Sequence, residues 1–180
     1  LSKFNSLHLK DKNKDKDKAK RITPKDEEHF FGYYDKSPWD ITKRYILTLK
    51  VPFSNKHPSS EDKASIGMID TRNNNEFIFI DKTDTWNLQQ GSMLQWLGSK
   101  FKDKIIYNDL QDGKYVSVIY NLRIDKKEII NKPIYSVSRD GKFALSINFS
   151  RLHRLRPGYG YNNISDDTFG QLHPKDDGIW

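Results

Sequence analysis

The chain has 180 residues, with 31 Lys and Arg against 24 Asp and Glu, a formal charge of +7, and 13% aromatic residues although only 35% are hydrophobic. Disordered chains are poor in aromatic and β-branched residues, so this mix excludes full disorder. The lack of cysteine removes a disulfide framework, a thiolate metal site and a Cys nucleophile together, and the apolar runs are strand-sized, far below the ~18 residues that span a bilayer.

The first 28 residues hold nine of the basic and six of the acidic groups. Signs alternate through Lys10–Lys18 without apolar periodicity, which predicts a solvated, flexible lead-in over 1–28. A nucleic-acid arm would be basic without interleaved Asp, so no nucleic-acid partner is expected. No apolar segment follows the Lys-rich start as it would in a secretory signal. The expected location is therefore cytoplasmic, with no membrane span.

From His29 onward, short apolar runs alternate with turn residues, and they are taken here in chain order. His29–Tyr34, Tyr45–Val51, Ser65–Asp70 and Phe77–Ile80 read as four strands, the last two joined by Thr71–Glu76. Trp86–Leu97 allows two readings. Trp86, Met93 and Leu97 fall at helical spacing, but Gly91 would cost such a helix ~1 kcal/mol; the alternative is a loop to Gly91 and a strand over Ser92–Leu97. Further strands follow at Lys104–Asn108, Tyr115–Tyr120, Ile134–Val137 and Phe143–Ile147. Ser138–Lys142 reads as a tight turn with Gly141 suited to positive φ. Arg151–Asp177 reads as an irregular insertion, and Asp177–Trp180 as the start of another strand.

Three stretches share one pattern: an aromatic-rich strand, a turn, a Lys or Arg, and a second apolar strand. They begin at Gly32, Ser92 and Ile134, bracketing the ~40–50-residue period of a propeller blade. The strand-favouring repeat predicts an all-β fold, a β-propeller of four-stranded antiparallel blades at roughly 30–85, 90–132 and 133–180. With its third blade unfinished, the domain over 29–180 is expected to be an incomplete fragment of about two and a half to three blades.

His29–Asp40, Trp86–Trp96 and Ser146–Tyr161, occurring in this order, resemble a bacterial β-propeller family encoded beside polysaccharide-biosynthesis and glycosyltransferase genes, itself similar to oligogalacturonate lyase and TolB-type propellers. The resemblance implies a cytoplasmic, glycan-linked role. The lyases hold a metal on His and Gln residues of later blades, so no metal ligand carries over to this chain, and no cofactor is assignable.

The residues themselves suggest where a ligand would sit. His29, Asp35, Gln95 and Trp96 fall at or beside predicted inner strands, and His29 with Asp35 is a candidate general-base pair. Tyr and Trp faces stack on sugars while amides pair with hydroxyls, although the plainer reading is that Tyr33, Tyr34, Trp39 and Trp96 pack between blades. Gln89, Gln90 and Gln95 are unusual for plain packing, because buried amides need partners. Arg151, His153, Arg154 and Arg156, followed by Tyr159 and Tyr161, combine guanidinium forks for carboxylate or phosphate with flat faces. The alternative is that these arginines pair with Asp166, Asp167, Asp176 or Asp177. His153, His173 and Asp176 match no standard metal-ligand spacing.

The expected function is a glycan-binding or glycan-processing propeller acting on an acidic saccharide or sugar phosphate, lyase-like if catalytic. The competing expectation is a non-catalytic scaffold that docks a glycosyltransferase or other assembly protein.

Overall fold

The computed structural model describes residues 19–180; most of the charged lead-in expected over 1–28 lies outside the described residues. The chain is mostly β, built as successive antiparallel meanders. The first sheet holds β1 (Glu28–Phe30), β2 (Tyr45–Val51), β3 (Ala64–Asp70) and β4 (Glu76–Thr83) in sequence order. The second holds β5 (Gln95–Trp96), β6 (Lys104–Gln111), β7 (Lys114–Asn121) and β8 (Lys126–Ile130), again in order. A third pairs β9 (Ser136–Val137) with β10 (Ala144–Leu145), and α1 (Phe149–Leu155) follows.

The turns explain why the order is so simple. Asp112 and Gly113 carry φ of 49° and 70° between β6 and β7, the Asp-Gly pattern whose twist matches that of the flanking strands. Asn74 and Asn75, at 50° and 56°, do the same between β3 and β4. Gly141 has φ 73° and its amide donates to the Ser138 carbonyl, closing the β9–β10 turn.

Burial on the second sheet follows the two-residue period of a strand. Ile105 and Tyr107 join Leu47, Leu49, Ile66, Trp86 and Trp96 in one core cluster. Ile106, between them, joins Met93, Ile134, Phe149 and Tyr161 in another. The second sheet is thus covered on both faces, by the first sheet on one side and by Ile134, β9, α1 and Tyr161 on the other.

Buried amides and hydroxyls lock these layers together. Asn108 Nδ2 donates to the Ile134 carbonyl (2.8 Å) and to the Tyr161 hydroxyl (3.1 Å), while its Oδ1 accepts from Ile134 N. Thr83 donates to the Asn108 carbonyl at 2.8 Å, and the Tyr107 hydroxyl donates to Asp81, which also pairs with Lys127.

Five expectations change in extent or kind. Trp86–Leu97 forms no helix, and its strand is only Gln95–Trp96, because Gly91 and Met93 both adopt positive φ. The His29–Tyr34 run leaves the sheet after Phe30, and the Phe143–Ile147 run keeps only two strand residues. The stretch expected to be irregular begins inside α1, whose Asn148 N-cap accepts from Arg151 N. Over 177–180 no strand forms among the described residues, yet Ser146 and Trp180 exchange reciprocal backbone hydrogen bonds of 2.8 and 3.1 Å.

Candidate functional site

The first strand of the first sheet is interrupted. Phe30 stands opposite Leu49, and pairing resumes with Leu47 N donating to the Pro38 carbonyl and Trp39 bridging Ile46. The partner strand advances from Leu49 to Ile46 while this one runs from Phe30 to Trp39, so residues 31–37 are thrown out as an excursion. Breaks of this kind re-aim side chains and concentrate beside binding sites.

Two glycines seat the excursion. Gly32 has φ 138°, and a Cβ there would come within 2.9 Å of the Gln90 carbonyl oxygen; Gly91 has φ 62°, and its Cβ would meet the Phe31 carbonyl at 3.0 Å. Backbone lies directly on backbone, which only glycine allows at these dihedrals. Asn87 then fastens this junction to the segment after α1. Its Oδ1 accepts from Gln89 N and Gln90 N, and its Nδ2 donates to the Tyr159 and Gly160 carbonyls at 3.1 and 3.2 Å. Gly160 presses on α1, where a Cβ would fall 2.1 Å from the Phe149 carbonyl.

The side chains so assembled form an aromatic ledge. The Tyr33 and Tyr34 rings lie 4.3 Å apart, and Tyr159 meets Tyr33 edge-on at 6.5 Å. Tyr34 is 86% exposed. Arg156 caps the ledge with its Cζ 3.8 Å from the Tyr159 ring centre.

The three arginines separate. Arg151 pairs with Asp177 and Arg154 with Asp166, each at 2.6 Å. Burial pushes the Asp166 carboxyl up, but the Thr168 hydroxyl, the Arg154 guanidinium and the Thr168 amide together hold it below the usual carboxylate range. Arg156 has no carboxylate partner among the described residues.

The other predicted residues are placed as follows. Tyr161 lies in the core, stacked 4.4 Å from Phe149 and hydrogen-bonded by Asn108, because neighbours two apart from Tyr159 across Gly160 are free to face another direction. Trp96 is buried and its Nε1 donates to the Pro38 carbonyl at 2.8 Å. Gln95 donates to the Met93 carbonyl, while Gln90 Oε1 and His153 Nδ1 are buried without a protein partner. His29 and Asp35 are not brought together. The His29 side chain is 1% exposed, paired with Glu27 at 2.9 Å and edge-on to Phe77, whereas Asp35 pairs with Lys36 at 2.7 Å. Asp35, Gln95 and Trp96 do meet, at a cavity of about 220 Å³.

Among the described residues no three His, Asp or Glu side chains converge as a metal site, and no helix is long and apolar enough to cross a membrane. Sequence reasoning missed Asn87 and Asn108 as clamps. It also missed α1, which Asn148, the basic residues His153 and Arg154 in its last turn, and the Pro157-Gly158 stop do signal.

Fold and site together define an antiparallel, mostly β protein carrying an aromatic–arginine ledge at a break in its first strand. Comparison with protein-family models, curated proteins and solved structures returns no match to this chain.

Proposed function

We propose that the chain is a propeller-type stack of β-sheets whose Tyr33–Tyr34–Tyr159–Arg156 ledge binds an acidic saccharide. The propeller reading is supported by consecutive meanders packed face to face, with the turns after their first strands side by side. Ile41 N donates to the Phe101 carbonyl, and a Cβ on Gly141 would lie 2.9 Å from Gly98 N. The observation that carries the function is Arg156. It is the one guanidinium of its cluster left without a carboxylate among the described residues, and it lies over a tyrosine that adjoins two more. Aromatic rings bind the apolar faces of a sugar, and a guanidinium fork donates paired hydrogen bonds to a carboxylate.

The proposal is of binding alone, and the candidate base His29 is turned into the protein against Glu27. Calorimetric titration with uronate oligosaccharides and neutral controls tests it. Saturable heat with the acidic sugars alone, weakened about tenfold or more in Arg156→Ala, is expected; equal heat with neutral sugars, or an unchanged affinity in that variant, refutes it. The scaffold reading has one observation in its favour: Leu145 of β10 and the neighbouring Phe143 and Ile179 are all more than half exposed. Retention of a glycosyltransferase by the wild type but not by Leu145→Lys would support that reading instead.

A further inference from the structure

The cavity between the excursion, β5 and β9 is separate from the ledge but joined to it through the chain. Asp35, Lys36 and Ser37 come from the excursion, Gln95 from β5, and Ser136 and Arg139 from β9 and its turn. At about 220 Å³ it is smaller than the ~300 Å³ at which pockets for drug-sized ligands begin, a size suited to one sugar unit. Its walls are held in place. Trp96 is bonded to Pro38, Gly141 lies against Gly98, and the Arg139 turn is closed by Ser138 and Asp140.

Its charges are unequal in availability. Lys36 is neutralised by Asp35 at 2.7 Å, whereas Arg139 is exposed and has no carboxylate partner among the described residues. Gln95 spends one amide hydrogen on the Met93 carbonyl, leaving its carbonyl oxygen and second hydrogen, and Ser37 and Ser136 add hydroxyls. An arginine fork beside neutral donors and acceptors matches a sugar ring that carries one carboxylate.

We propose that this cavity is a second subsite, in which Arg139 takes the carboxylate of a uronate unit. It would lie next to a unit stacked on the ledge, because Tyr33 and Tyr34 run straight into Asp35–Ser37. The inference deepens the saccharide reading and rests on it for the ligand's chemistry. A ligand spanning both sites is then an oligosaccharide with acidic units in sequence, while a single uronate suffices to fill the cavity.

The test uses the ¹⁵N-labelled full chain, titrated separately with glucuronate, glucose and inorganic phosphate, and follows the Trp96 indole N–H and the backbone amides of 136–139. With glucuronate these signals should shift saturably, and with glucose they should not. Arg139→Gln should weaken the response about tenfold or more, while Arg123→Gln, at an exposed position in the turn between β7 and β8, leaves it in place. Arg139 is exposed and its turn is closed by other residues, so the variant keeps its fold, which an unchanged melting temperature verifies. Absence of the glucuronate shifts, shifts indifferent to Arg139→Gln, or equal shifts with phosphate would overturn the subsite. Loss confined to Arg156→Gln would also overturn it while leaving the ledge intact. Loss confined to Arg139→Gln supports the subsite even if oligosaccharide binding ignores Arg156.

Discussion

Arg151, Arg154 and Arg156 lie within six residues of one another, yet they meet different surroundings. The first two face carboxylates that are 7% and 2% exposed, so removing either guanidinium leaves a largely buried acid without its ion-pair partner. Because both arginines are about a third exposed, solvent screening limits the cost. We expect Arg154→Ala to lower unfolding stability by about 1 kcal/mol in urea titration, with no change in saccharide affinity. Arg156→Ala should show the reverse pattern. Asp109 is a second residue with a legible cost. Burial pushes its carboxyl up, against hydrogen bonds from the Asp84 and Leu110 amides and the Thr83 hydroxyl. Asp109→Asn removes the buried charge and keeps an acceptor for Thr83 and Asp84, so a higher urea midpoint at pH 7 is expected; a lower one would show that the charge is needed.

At the scale of elements, the excursion between Phe30 and Trp39 depends on backbone contacts rather than on side chains. Gly32→Ala places a methyl group against the Gln90 carbonyl at a dihedral that disfavours any Cβ. A loss of more than about 1 kcal/mol is expected, together with loss of saccharide binding, since Tyr33 and Tyr34 would move away from Tyr159. Calorimetric binding and melting on the same variant check both halves. Helix α1 is short, and its start rests on Asn148 accepting from Arg151 N at 3.0 Å. Asn148→Ala should cost ~1 kcal/mol and loosen Tyr159 through Gly160, which packs against the helix backbone.

For the whole molecule, the third sheet and α1 are held to the rest by one apolar cluster and the buried amide of Asn108. Asn108→Leu would strand the Ile134 amide and carbonyl without partners, at a cost of ~1–3 kcal/mol. Hydrogen exchange should then rise over 134–161 before it rises in the first sheet. Acid stability follows from the carboxylates taken together. The guanidinium of Arg44 lowers the Asp70 carboxyl. At Asp40 burial raises it, but Thr42 and the amides of Tyr45, Thr42 and Arg44 outweigh that and leave it low. Asp166 is low as well. Each such group contributes stability above its unfolded value, near 3.8, and loses it as pH falls through the lower folded value. Asp109 has the opposite sign, its contribution falling as pH rises through a raised folded value. The melting temperature should therefore stay high at neutral pH and drop below about pH 4, and Asp70→Asn should flatten that drop.

The sequence by itself determined the long strands and their turns. Period-two burial and the Asn, Asp and Gly residues at positive φ act over a few residues, so Tyr45–Val51, Lys104–Asn108 and Tyr115–Tyr120 were legible without partners. It also contained the residues of the ledge, but not their grouping. Only the tertiary structure decided which arginine lacks a carboxylate partner among the described residues, because Asp166 and Asp177 reach Arg154 and Arg151 across 12 and 26 residues. Only the structure separated the half-buried Tyr159 from Tyr161 in the core, and turned His29 to Glu27 instead of Asp35. Those outcomes depend on how sheets stack. Stacking is set by shape and by buried hydrogen bonds between distant segments, which local periodicity does not encode.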